Sequence, residues 1–314
     1  MGSLRGFWDR RYTEKVALQN TDLEIRKGQI VGLVGANGAG KTTLLKLLSG
    51  LIYPSSGDAR VLGYQPWKRD YDFLRRMSVL LGQKNQLWWD IAPIESYTML
   101  AEIYDLDRAQ VLQQVKDLSE LLQCGHVLKT QLRRLSLGER MKMEIIGALL
   151  HSPDVLFLDE PTIGLDIVAQ TAIRKFLAEY VAFKQPTVIL TSHYMDDIAK
   201  LADRLLLISQ GQIVYDGTVT GFVEKSDQRQ MVGFFLNEPL TTDLVISPTL
   251  SVPAQSQEHS IAVPPAELPL FLSQITRIEG LQDLKVSEAD FEEVIRAFLE
   301  KESRLFQTGH RHQS

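Results

Sequence analysis

From Gln29 to about Ile208, short apolar runs alternate with longer stretches of helical period, the pattern of a mostly parallel sheet flanked by helices. The runs predict strands over residues 29–34, 154–158, 187–191 and 204–208. A turn at Ser209-Gln210-Gly211 then leads into a short strand over 212–215. Residues from about 85 to 150 read as mainly helical, a helical subdomain inserted into the sheet domain. Val155-Leu156-Phe157-Leu158 and Leu205-Leu206-Leu207-Ile208 show no polar face, as strands covered on both sides do. The pattern changes after Phe222. Residues 228–236 read as a strand, and 247–263, with several Pro, Ser and Gln, as a loose connection. Helices are expected near 266–278 and 288–301. The resulting plan is a sheet domain over 1–222, an accessory domain over 225–302 and a disordered polar tail over 303–314.

Composition narrows the picture. The 314 residues are 44% apolar, enough for a sizeable core, and 34 Lys and Arg against 39 Asp and Glu leave a formal charge of −5. That balance disfavours a general nucleic-acid binder. One cysteine, Cys124, rules out an internal disulfide framework and suits a reducing compartment. No uncharged apolar run approaches the roughly 18–20 residues of a membrane helix. The first residues lack a secretory apolar stretch, and Gly6 stands where myristoylation wants Ser or Thr. Contact with a membrane is therefore expected through a partner.

Two motifs carry chemistry. Gly35-Ala36-Asn37-Gly38-Ala39-Gly40-Lys41-Thr42 fits G-x-x-x-x-G-K-[ST] at every fixed position, between a predicted strand and a helix that continues through Thr43. Glycines let successive backbone N–H groups turn inward as an anion nest at a helix N-terminus. Lys41 would reach the β- and γ-phosphates of a nucleotide, and the Thr42 hydroxyl would ligate Mg²⁺. A glycine-rich turn capping an ordinary helix is the alternative, which the strand–loop–helix context disfavours. The second motif is an apolar strand ending in Asp159-Glu160, at the sheet edge where ligands bind. Asp159 suits the metal shell, and Glu160 is placed to polarise an attacking water. A solvated strand end is the competing reading.

Between these motifs, Leu135-Ser136-Leu137-Gly138-Glu139-Arg140 resembles the ABC signature, LSGGQ in its commonest form. Gln83, after Val79-Leu80-Leu81, resembles the Q-loop glutamine. Gly164-Leu165-Asp166 resembles the D-loop, and His193 the switch histidine. The order is that of ABC transporter ATPases over roughly residues 12–222, most similar to ATP-binding subunits of drug, antibiotic and polysaccharide exporters whose membrane subunits are separate chains. The resemblance implies a P-loop NTPase fold of the α/β class with a mostly parallel core sheet, an inserted helical subdomain and a small α+β C-terminal extension. It implies binding and hydrolysis of ATP with Mg²⁺ in a head-to-tail dimer, homomeric or with a similar ATPase, working with separate transmembrane permease subunits on the cytoplasmic face of the membrane. Ser136, Leu137, Gly138 and Glu139 would face the γ-phosphate held by the partner's loop. Gln83 would touch Mg²⁺ and water, His193 would hold the γ-phosphate, and Asp166 would communicate across the pair. Tyr12 is the candidate adenine platform, with Trp8 its competitor.

The chain departs from the family plan in three places. Leu137 and Glu139 replace the usual glycine and glutamine of the signature, which keeps a binding-only regulator among the alternatives. Family members carry a strand before the adenine-stacking aromatic, whereas residues 2–11 do not alternate as one. Trp88 and Trp89 are adjacent just past Gln83, and either could anchor a membrane subunit's coupling helix or fill gaps in the helical insert. A soluble ABC protein acting on ribosomes or DNA is the remaining alternative. The single ATPase unit and acidic balance argue against it.

Overall fold

A computed structural model describes residues 16–299 apart from 83, 193, 226–229, 249, 255, 289–290 and 297. Trp8, Tyr12, Gln83, His193 and the tail over 303–314 therefore lie outside the described residues.

Six strands make the main sheet: β1 (Ile30–Val34), β2 (Met77–Leu81), β3 (Val155–Asp159), β4 (Thr187–Thr191), β5 (Arg204–Ser209) and β6 (Gln212–Thr218). Their order is β2-β3-β4-β1-β5-β6. The first five in that row run parallel, and β6 turns back antiparallel to β5. The turn requires positive φ at Gln210 (49°) and Gly211 (79°). Four strands match the sequence reading to within a residue or so, and β6 runs three residues further than expected. The run Val79-Leu80-Leu81 proves to be the end of a strand, β2.

Helices α1 (Lys41–Leu48), α2 (Tyr71–Leu74), α3 (Pro93–Tyr104), α4 (Arg108–Leu121), α5 (Leu137–Leu149), α6 (Ile167–Lys184), α7 (Met195–Leu201) and α8 (Val219–Lys225) complete this part of the chain. The two-residue period of the strands decides which core each side chain enters. Val31, Leu33, Phe157, Ile189 and Leu206 join Leu44 and Leu45 of α1 on one face. Val34, Leu158, Leu190, Leu205 and Leu207 join Ile146 of α5, Phe176 of α6 and Ile198 of α7 on the other. Each fully buried side chain of this kind contributes roughly 1.5–3 kcal/mol. Because the strands are parallel, the segments leaving β1, β2, β3 and β4 emerge at one edge of the sheet. The stretch read as helical between 85 and 150 holds α3, α4 and α5.

Beyond residue 229 lie β7 (Gln230–Leu236), β8 (Leu244–Ser247), β9 (Leu250–Val252), β10 (Glu258–Val263), α9 (Leu268–Ile275) and β11 (Leu281–Glu288). A three-stranded antiparallel sheet, β10-β7-β11, covers α9 through a separate core that includes Val232, Phe234, Val263, Phe271 and Ile275. The expected loose connection over 247–263 is overturned, for it contains β9 and β10. Its Pro and Ser residues hide an alternation that sends Leu250, Val252, His259 and Val263 inward. Residues 291–296 and 298–299 are helical, as expected near 288–301. Phe291, Ile295 and Phe298 pack into the main core beside Phe222, with Phe298 5.3 Å from it ring to ring.

Candidate functional site

The loop leaving β1 is shaped by close approaches that only glycine permits. A Cβ at Gly35 would stand 2.2 Å from the Ile208 carbonyl oxygen. Gly40 caps α1 with φ 115°, and α1 has neither a side-chain cap nor an acidic residue in its first turn. Its leading amides are thus left to an anion, with the positive end of the helix dipole behind them. Lys41 is only 6% exposed. Its Nζ donates to the carbonyls of Gly35 at 2.6 Å and Ala36 at 3.1 Å. Burial lowers its pKa, while the charges of Glu160 and Asp159 oppose that shift.

Thr42 is aimed at the tip of β3, its hydroxyl 3.2 Å from Oδ2 and 3.4 Å from Oδ1 of Asp159. Thr191, at the end of β4 and fully buried, donates to Asp159 Oδ1 at 2.7 Å. The same hydroxyl accepts the Glu160 N–H at 3.1 Å. Glu160 has φ 56°, a left-handed backbone that turns the chain sharply off the strand at a cost on the order of 1–3 kcal/mol, which its surroundings must offset. Gly82 forms part of that hold. Its N–H donates to the Asp159 carbonyl at 2.7 Å, and a Cβ there would meet the Glu160 carbonyl oxygen at 2.3 Å. The residue just before Gln83 is thereby fastened to the acidic tip. A carboxylate and a hydroxyl together offer only hard oxygen donors, a set that fits Mg²⁺ completed by phosphate oxygens and water. Among the described residues no cluster of three or more His, Cys, Asp or Glu could cage a metal without them.

Asp197, 1% exposed, forms a second buried node. It accepts from Thr162 at 2.5 Å, Ser192 at 2.6 Å and the Arg174 guanidinium at 2.7 Å. It thus joins the segment after Glu160 to the residue preceding His193.

The signature stretch lies at the start of α5. That helix begins at Leu137, where Ser136 and Glu139 form a capping box. Glu139 Oε2 accepts the Ser136 hydroxyl at 2.7 Å and its N–H at 2.9 Å. These bonds to Ser136 hold the Glu139 carboxyl below its ordinary pKa, with His126 assisting. Leu137 is 44% exposed. A Cβ at Gly138 would meet that of Ala169 at 2.9 Å, and one at Gly164 would meet Leu137 Cδ2 at 3.4 Å. Asp166 caps α6, accepting the Ala169 N–H at 2.8 Å. The signature and D-loop segments therefore pack together within one chain. Among the described residues no hydrogen bond joins Ser136–Glu139 to residues 35–43. Trp88 and Trp89 are 39% and 41% exposed.

Sequence reasoning missed Gly82, Thr191 and Asp197. Thr191 alone left a trace, as a polar residue closing an apolar strand.

The chain matches the family described as ABC transporter over residues 18–163. It is 31% identical over 234 residues to the ABC transporter ATP-binding protein NatA of Bacillus subtilis (strain 168), covering 74% of this chain and 94% of that protein. It is 32% identical over 203 residues to the doxorubicin resistance ATP-binding protein DrrA of Mycobacterium tuberculosis (strain ATCC 25618 / H37Rv), covering 65% of this chain and 61% of that one. A solved structure of the ATP binding subunit of an ABC transporter superposes with a TM-score of 0.62 at 25% identity, over 68% of this chain and 88% of that chain. With its phosphate loop, acidic strand tip and signature segment in one sheet-and-helix framework, the chain belongs to the ABC transporter ATP-binding proteins, the ATPase subunits of transporters.

Proposed function

We propose that the chain energises export, as a head-to-tail dimer that holds two Mg·ATP between its copies and docks on separate transmembrane permease subunits at the cytoplasmic face of the membrane. The observation that carries this reading is the convergence of the uncapped start of α1, the Lys41 ammonium and the Thr42–Asp159 pair at one sheet edge. Names that include drug resistance among the relatives support export. No helix among the described residues is long and apolar enough to cross a membrane, which supports a separate permease.

In this reading the amides of residues 35–43 and Lys41 cradle the β- and γ-phosphates. Lys41 exchanges its bonds to Gly35 and Ala36 for phosphate oxygens. Thr42 and Asp159, with Gln83, would hold Mg²⁺, whose charge would offset that building on the phosphates. Glu160, turned off the strand by its left-handed backbone, accepts a proton from the attacking water, and His193 steadies the γ-phosphate. Phosphoryl transfer asks little more of a protein than positioning and charge stabilisation. Ser136 and Gly138 of the second copy complete the site, Asp166 lies beside them, and Tyr12 stacks on adenine. Trp88 or Trp89 receives the permease. Residues 1–222 act as the ATPase domain and 225–302 as an accessory domain; the separate core around Phe271 supports this for β7 to β11, while Phe291, Ile295 and Phe298 return to the main core.

Glu160→Gln is the decisive variant. It should keep Mg·ATP affinity, lower turnover by roughly 100-fold or more, and accumulate a nucleotide-bound dimer visible by size-exclusion chromatography. Undiminished turnover would remove Glu160 from this role. Loss of nucleotide binding would contradict the site as a whole.

A further inference from the structure

Glu144 is an acid on the buried side of α5, 3% exposed. Burial pushes its pKa up, opposed by two backbone amides and by the charge of Arg140. The amides belong to Gln86 and Leu87. Glu144 Oε2 accepts from Gln86 N at 3.0 Å, and both carboxylate oxygens stand 3.3 Å from Leu87 N. A buried carboxylate satisfied by the main chain of a segment more than fifty residues away is costly unless that segment stays in place.

The same segment is fastened to its surroundings at several further points. The Arg140 guanidinium, one turn before Glu144, lies 4.3 Å over the Trp89 ring. The N–H groups of Arg133 and Leu132 donate to the carbonyls of Trp89 and Ile91, both at 3.1 Å. Leu87 is buried against Gly147, where a Cβ would stand 3.0 Å from its Cδ2. Gln86 Nε2 also donates to the Val79 carbonyl on β2. Residues 86–91, which carry the two half-exposed tryptophans, are therefore bound along α5 and the turn before it. The N-cap of α5 is Ser136.

We propose that Glu144 is a positioning residue whose carboxylate locks the Trp88–Trp89 segment to the helix presenting Ser136, so that force on the tryptophans reaches the signature end of that helix. This rests on the proposed function, in which Ser136 completes a nucleotide site. Glu144 touches neither nucleotide nor metal in that scheme. It acts through the amides of Gln86 and Leu87 and through the axis of α5.

The test uses the full chain with Glu144→Met, which keeps side-chain length and suits an apolar site, and Glu144→Gln, which keeps one acceptor oxygen. Amide hydrogen exchange at Gln86 and Leu87 is read beside steady-state hydrolysis of Mg·ATP. In Glu144→Met, exchange at those two amides should rise by about tenfold or more while the rest of α5 stays protected. Its kcat should fall several-fold with KM for Mg·ATP held within about twofold. Glu144→Gln should restore the protection and most of kcat. Unchanged exchange in Glu144→Met overturns the proposal, as does a parallel change in KM or a kcat loss that Gln does not repair. A wild-type chain without Mg·ATP turnover would strike at the proposed function instead. Normal wild-type turnover matched by Glu144→Met would remove only the positioning role.

Discussion

Lys41 shows how little the sequence motif says about the state of its own side chain. The motif identifies the residue and its neighbours, whereas the structure finds the ammonium buried and bonded to the carbonyls of Gly35 and Ala36. In the proposed cradle an incoming triphosphate would replace two good hydrogen bonds and gain mainly through charge. Bonds to charged groups contribute roughly 1.5–3 kcal/mol each, so Lys41→Ala should weaken Mg·ATP binding by about tenfold or more, as read by isothermal titration calorimetry. Unaltered affinity would contradict the cradle. The loop and Asp159-Glu160 were legible because each is a contiguous motif in strand–loop–helix context. Thr191 and Gly82 were not, because their importance arises only when β4 and β2 flank β3 and bring them to a residue far along the chain.

At the scale of elements, two helix starts coincide with proposed site segments. Ser136 and Asp166 are both N-caps, and both fall in the segments that resemble the signature and the D-loop. Removing a cap costs about 1 kcal/mol, so Asp166→Ala should lower the melting temperature by a few degrees. Asp166→Asn keeps a capping oxygen and should melt close to wild type. A turnover defect shared by both variants would then report the D-loop role separately from helix stability. Continuous apolar runs made β1, β3, β4 and β5 readable from the sequence, though not β2, of which only Val79-Leu80-Leu81 showed. Residues 247–263 were not, because short strands broken by Pro248 and Pro253 alternate over too few residues to outweigh their loop-like composition.

At the scale of the whole molecule, His151 links stability to pH. It stacks on Tyr104 at 4.1 Å and hydrogen-bonds the Met77 carbonyl at 3.0 Å. Burial lowers its pKa below the usual 6.5, only partly offset by that bond. The unfolded chain thus takes up the proton more readily than the folded one. The stability linked to this neutral ring is complete above about pH 6.5 and declines as pH falls toward the folded-state value. Thermal melts between about pH 7 and pH 5 should show a shallower decline in His151→Phe than in wild type. Equal slopes would exclude this histidine as a source of acid sensitivity.

The return of Phe291 and Phe298 to Phe222 gives the C-terminal extension a second mooring. It leaves the main body after α8 and comes back to rest against that helix, so it cannot hang as a pendant on a single hinge. Letting it swing outward would strip aromatic rings from the interior that also supports β5 and β6. Whatever dislodges the extension must therefore loosen the ATPase core as well.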